Sequence, residues 1–334
     1  MPGQVRSQMP PAPAPALGLR ARSGARPRSR GRGRRGGRRG GQIRLAAWLF
    51  VAPAFLFFGL LVAYPLARVL WTSLQRANLL NPHVAGFAGL ANFTDVLGDD
   101  DFWPDLWNTV LWTTLSVTGE YVLGLASALA LARNVAFRGA FRAVIIIPWV
   151  IPIVVAGLTW SWMLTPEYGV LNRWMVELGL IRQPVAWLGR PDTALYTVTL
   201  VNIWRSFPFY TISLLAALQA VPRDLYEAAA VDGAGSLVRF RAITLPHLRT
   251  VSLTLVAIHV VWTAINFDFI WVMTEGGPLN ASETLPIMIY RYAMQQFDVG
   301  GACALASMMM GFMASVFFVQ YYALRRAKAA RGVS

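Results

Sequence analysis

The feature that most constrains this chain is a series of six long apolar runs, each of a length at which an α-helix crosses roughly 30 Å of hydrocarbon. The first, Leu45 to Ala67, is uncharged. Its length and the lack of a small-residue cleavage site predict a retained anchor rather than a secretory signal. The second spans Trp107 to Ala132 around Glu120, and the third Ala143 to Pro166. The fourth, Thr193 to Val221, surrounds Arg205; the fifth, Thr250 to Thr274, surrounds Asp268; the sixth, Val299 to Leu324, carries no charge. Inside a bilayer every backbone amide must bond within its own segment, so the runs predict an all-α integral membrane protein with six transmembrane helices.

Charge placement tests that count independently. The net charge of +14 suggests nucleic-acid binding until it is located. Residues 1 to 44 hold twelve Arg and no acid, and the remaining 18 basic residues face 16 acidic ones. With the N-terminus inside, the cytoplasmic segments gather the tail, Arg133, Arg138 and Arg142, four Arg within residues 222–249, and the basic residues after span six. The opposite loops hold Arg68, Arg76, Arg173, Arg182, Arg190 and Arg291 together with eleven of the sixteen acids, including Asp99 to Asp101. This asymmetry predicts a multi-pass protein of the bacterial cytoplasmic membrane with both termini in the cytoplasm.

Residues 1–42 are rich in Pro, Ala, Arg and Gly and cannot bury enough surface to offset their ordering entropy, which predicts a disordered cytoplasmic tail. Its Arg-Gly-Gly repeats at Arg35 to Gly37 and Arg39 to Gly41 resemble RNA-binding arms. The same charges beside a membrane segment hold that end inside, and no nucleic-acid partner is expected. Residues 43–330 then form one six-helix transmembrane domain.

Several chemistries are excluded. The single cysteine, Cys303, rules out an internal disulfide and a cysteine-based zinc cluster. The one lysine, Lys328, precedes Ala329, so the chain carries no G-x-x-x-x-G-K-[ST] phosphate loop, and any ATP is bound by another subunit. There is no H-E-x-x-H, no metal-ligand cluster and no nucleophile with a plausibly spaced base. No catalytic residue, metal or cofactor is expected.

Between spans four and five, residues 222–249 form a long cytoplasmic loop. Arg223 to Val231 is an Ala-rich helix former after Pro222, Asp232-Gly233 supplies a turn, and Ser236 caps a second short helix. Leu237, Phe240 and Ile243 share a face of that helix, which Pro246 is expected to end before span five. An amphipathic helix lying on headgroups is the plainer reading, but an acidic residue and a fixed turn suit docking to a protein better. Glu227 offers a charge to a partner cation, and the alanines permit close approach.

The stretch EAAAVDGAGSLVRFRAITLP resembles the cytoplasmic signature of the membrane-spanning permease subunits of binding-protein-dependent ABC importers. Glu227, Ala228, Ala229, Asp232, Gly233 and Ala234 match E-A-A-x-x-x-D-G-A, followed by Phe240, Ile243, Leu245 and Pro246. The resemblance implies that this helix pair is the coupling element, seated in a groove of a separate ATPase. It extends over roughly residues 45 to 325, through AYPLARVLWTSL, FAGLANF, IIIPWVIPIVVAGLTW and TEGGPLNASETLPIMIYRYAMQQFDVG, and is greatest to MalF/UgpA-like sugar permeases. It implies the type I ABC importer permease (MetI-like) fold, a second homologous permease subunit, an ABC ATPase dimer, an extracytoplasmic solute-binding protein and a sugar substrate. The carried solute is implied to be a disaccharide, an oligosaccharide or a relative such as glycerol 3-phosphate.

The same alignment places Asn202, Arg205, Ser206 and Phe209 of span four, and His259, Thr263 and Asn266 of span five, along the substrate pathway. Arg205 and His259 depart from the maltose permease pattern, replacing an apolar residue and a hydroxyl. An Arg in a span must face a cavity or a partner, so Arg205 either bridges to Asp268 or Glu120 or contacts an anionic or heavily hydroxylated solute. His259 by itself reads as a hydrogen-bonded interior histidine. Pro148, Pro152 and Pro208 interrupt helical hydrogen bonding within spans. An ion-coupled secondary transporter using Glu120, Arg205 and Asp268 is the alternative, and it leaves the coupling loop unexplained.

Overall fold

The computed structural model describes residues 48, 50–81, 83, 86–133 and 137–329. The tail at 1–42 and the start of the first expected span lie outside the described residues. The described residues fall into two units, one ending at Gly59 and the other beginning at Leu60. In the first, Trp48 packs its ring 6.4 Å from that of Phe55.

Among the described residues the fold is helical apart from a ribbon of β1 (Gln75–Arg76) and β2 (Gly86–Phe87). The helices are α1 (Tyr64–Thr72), α2 (Ala91–Leu97), α3 (Phe102–Ala132), α4 (Arg138–Val150), α5 (Ile153–Met163), α6 (Val170–Glu177) and α7 (Ala194–Gln219). They continue with α8 (Arg223–Val231), α9 (Ser236–Arg239), α10 (Leu245–Ala264), α11 (Asp268–Thr274), α12 (Leu285–Tyr290) and α13 (Val299–Ala329).

Among the described residues four stretches are long and apolar enough to cross a membrane: Phe50–Thr72, Phe102–Ala132, Ser236–Ala264 and Val299–Tyr322. The third expected span is bent by 93° between α4 and α5, where Ile151 is extended and Pro152 precedes α5. The fourth is α7, whose 26 residues cover about 39 Å. It falls short of the others in apolarity because Thr, Asn202, Arg205 and Ser206 interrupt it. That polarity is turned inward, with Thr197, Thr199, Asn202, Ser206 and Thr211 all buried.

Two boundaries depart from the sequence reading. The helix that carries the fifth span runs from Ser236 to Ala264, not Thr250 to Thr274, and Asp268 opens the separate helix α11. Pro246 does not terminate the loop helix. A π-helical turn, Phe240–Thr244, joins α9 to α10 and places Pro246 in the first turn of α10. The π-helical register, in which the Leu245 amide donates to the Phe240 carbonyl, loosens the turn ahead of Pro246 and accommodates a residue that donates no N–H. Gly235, with extended backbone, precedes α9 in the place expected for a Ser236 cap.

The helix α3 is the pillar of the bundle. Its residues enter three buried clusters: with Leu285, Met288 and Leu305 through Phe102, with Val198, Phe269 and Ile270 through Trp112, and with Tyr210, Leu214 and Leu248 through Ala128 and Leu131. Its most extensive contact is with α7. At the far end, Arg291 bridges Glu283 at 3.0 Å and Asp101 at 2.9 Å, and the Tyr292 hydroxyl donates to Asp99. Burial pushes the Glu283 carboxyl above its ordinary range against the pull of Arg291.

Candidate functional site

Close approach of α3 and α7 builds the interior site. A Cβ on Gly124 would lie 2.3 Å from the Tyr210 Cβ and 3.1 Å from the Phe207 carbonyl oxygen, and one on Gly119 would lie 2.4 Å from Ile203 Cδ1. Only residues without a side chain let the two backbones come this near. Between these glycines Glu120 is fully buried.

Glu120 is held from both neighbouring helices. Asn202 Nδ2 on α7 donates to Oε1 at 3.0 Å, and His259 Nδ1 on α10 lies 2.8 Å from Oε2. With Nδ1 as the donor the carboxylate accepts both bonds. A buried carboxylate without such partners is prohibitively costly in a membrane interior, so the three residues lock α3, α7 and α10 together. Around the His259 ring stand Tyr210 at 4.5 Å, Phe209 at 4.9 Å and Trp262 at 5.5 Å between centroids. Neither His259 Nε2 nor the Tyr210 hydroxyl, both buried, has a hydrogen-bond partner among the described residues.

The expected pathway residues separate into two groups. Asn202, Arg205, Ser206 and Phe209 recur at helical spacing along one stripe of α7. Asn202 and Ser206 are buried, whereas Arg205 and Phe209 are partly open. Arg205 makes no ion pair with Asp268 or Glu120: both Glu120 oxygens are engaged, and Asp268 is exposed at the start of α11. Its Nε is buried without a hydrogen-bond partner among the described residues. Thr263 is buried, and its carbonyl accepts from Trp112 Nε1 at 2.9 Å. Asn266 serves α11, its Oδ1 accepting the Phe269 amide at 3.1 Å. Phe209 also meets Trp149 at 6.0 Å, so Trp149, Phe209 and Trp262 form an aromatic strip whose two tryptophans are exposed.

The sequence offers Arg205 as a possible partner of Glu120, not Asn202 or His259, whose bonds to it cross 82 and 139 residues of chain. An acid flanked by two glycines inside a span was the one local signal.

The loop at 222–249 is built differently. Gly233 adopts φ +74°, and nothing lies within 4 Å of the place a Cβ would take. Its amide donates to the Ala230 carbonyl at 3.1 Å, and the Ala234 amide donates to that of Ala229 at 2.9 Å. That pair of bonds is the Schellman closure of a helix, which requires a left-handed residue and so explains the Gly of the D-G-A signature. Tyr226 on α8 and Thr244 in the π-helical turn share a hydrogen bond of 2.9 Å that braces the two arms. Glu227, Ala228, Asp232, Gly233, Leu245 and Pro246 are exposed, while Ala229, Ala234 and Phe240 are half-buried. Val231 is 88% exposed and Leu237 60%, an apolar display atypical of a helix pair facing water alone.

A helical membrane bundle with a polar interior stripe and a presented helix pair suits a transport component. Residues 120–329 match the family described as binding-protein-dependent transport system inner membrane component, and the chain belongs to that family. It is 36% identical to the sulfoquinovosyl glycerol transport system permease protein SmoG of Agrobacterium fabrum, over 84% of this chain and 91% of that protein. It is 33% identical to the trehalose/maltose transport system permease protein MalF of Thermococcus litoralis, over 84% and 94% of the two chains. In fold it resembles a chain of a bacterial ABC transporter involved in the import of the acidic polysaccharide alginate, with a TM-score of 0.75, 21% identity and coverage of 86% of this chain and 99% of that one.

Proposed function

We propose that this chain is the permease subunit of an ABC importer that carries a sugar, or a related solute such as glycerol 3-phosphate, across the cytoplasmic membrane. It pairs with a second homologous permease, receives solute from an extracytoplasmic binding protein, and is driven by ATP hydrolysis on a separate ABC ATPase dimer. Both termini lie in the cytoplasm, and the chain has no ATPase site of its own.

The observation that carries this reading is the continuity of the loop with the interior site. The second arm of the loop runs without a break from Ser236 through the π-helical turn into α10, which holds His259 and Thr263. Ser236 and His259 are about 35 Å apart along that helix. Movement of an ATPase gripping Glu227 and the Ala228–Ala234 turn is thereby delivered to the pathway face. There the α7 stripe and the aromatic strip offer the two things a carbohydrate needs, hydrogen-bonding groups and flat rings for its C–H faces. Sugar transport is supported by the relatives, which are permeases of sulfoquinovosyl glycerol and trehalose/maltose transport systems. Arg205, which makes no ion pair among the described residues although Glu120 lies within electrostatic reach, is assigned to the solute.

The test is ATPase activity of the complex reconstituted in lipid with partner permease, ATPase and binding protein, titrated with neutral oligosaccharides and with a sugar phosphate. Stimulation by any of these supports the importer, and stimulation by the phosphate alone makes Arg205 a charge contact. A permease that associates with no ATPase overturns the reading.

A further inference from the structure

A cavity of about 850 Å³ opens where α3, α4, α7, α8 and α9 end or begin. Its rim carries Arg133, Arg138, Arg223 and Arg239, brought together from four separate segments. No acidic side chain lines it, and none of the four forms an ion pair among the described residues. Asp224 and Glu227 share α8 with Arg223 but are not part of the lining. Arg138 is fixed by donating its Nε to the Leu131 carbonyl at 2.7 Å, which leaves its terminal nitrogens for another acceptor. Leu129 and Phe240 supply apolar wall.

Four unpaired guanidiniums around one cavity repel one another unless an anion sits among them, and their planar forks match phosphate oxygens. The ends of four membrane helices set the cavity at headgroup depth, where basic pockets between helices hold anionic lipids. A free phosphate would leave most of the volume and all of the apolar wall unused. We infer that the cavity is a binding site for the phosphate of an anionic phospholipid headgroup in the cytoplasmic leaflet, seated directly behind the coupling loop. This rests on the orientation proposed above.

The test is native mass spectrometry of the purified complex, permeases and ATPase together, offered phosphatidylglycerol, phosphatidylcholine and inorganic phosphate in turn. Phosphatidylglycerol is expected to be retained in preference to phosphatidylcholine. Arg133→Gln is expected to weaken retention about fivefold, the worth of one arginine near a charged surface, while Arg133→Lys keeps it. Equal retention of both lipids, or no change in Arg133→Gln, overturns the site. Displacement by inorganic phosphate reassigns it to a free anion and overturns the lipid. Lipid bound to the permease pair but expelled when the ATPase joins also overturns it, making the cavity part of the ATPase seat. Labelling of Val231→Cys from the cytoplasmic side checks the orientation separately, so a failure there is distinct from a failure of lipid binding.

Discussion

Gly124 and Gly233 lack side chains for different reasons, and the contrast separates the two working regions of the molecule. Gly124 sits where two helices touch, and a methyl group there collides with Tyr210. Gly233 sits in open space, and what it supplies is a left-handed backbone that closes one helix and aims the next. The interior region is therefore specified by packing between distant segments, and the loop by local backbone geometry. A change in the first alters the bundle itself; a change in the second alters what the bundle presents to a partner.

The sharpest way to break this contrast is Glu120→Ala, which leaves Asn202 and His259 buried without their acceptor. A loss of about 3–5 kcal/mol is expected, read as a lowered unfolding temperature of the purified protein in detergent. An unchanged melting point would show that the cluster does not hold the three helices. Gly124→Ala should cost about 1–3 kcal/mol by overpacking the α3–α7 contact, and it should release Asn202 from Glu120. Gly233→Ala, the matched change in the loop, meets no neighbour and carries only left-handed strain of about 1–2 kcal/mol confined to the turn. Melting should shift less than in Gly124→Ala while ATPase-coupled uptake falls, so equal melting shifts for the two glycine variants would erase the distinction.

The smallest effect concerns pH. The Glu283 carboxyl is raised in the folded protein, so the folded state holds its proton to higher pH than the unfolded chain. The stabilisation from this group is complete below its ordinary value of 4.5 and is lost as pH rises through the folded value. Glu283→Gln should flatten that part of the stability profile, and a profile identical to wild type would refute the assignment.

Much of this architecture is legible in the sequence wherever cause and effect are local. Apolar runs mark the membrane helices because each segment must satisfy its own backbone, and the Asp232-Gly233 turn is written in two adjacent residues. Pro246 misleads because a proline ends a helix unless the preceding turn rearranges, and the π-helical turn at Phe240–Thr244 that does so has no sequence mark. The bend at Ile151–Pro152 is hinted at by two prolines, yet its size depends on what α5 packs against, namely α11. The partners of Glu120 lie beyond local reach altogether, and the absent bridge from Arg205 shows that opposite charges in neighbouring spans need not meet. Residue identity gave the polar groups of the interior; only the packing of glycines against α7 says which of them touch.

In the proposed function the exposed loop transmits work from an ATPase to the interior through one continuous helix. Its most direct test is solute uptake by proteoliposomes holding the complete complex with Gly233→Asp or Glu227→Lys in this chain, with insertion and melting measured on the same samples. Wild-type insertion and melting, with uptake abolished in both variants, are expected. Normal uptake in both would contradict that function and leave the loop a passive connection between two spans.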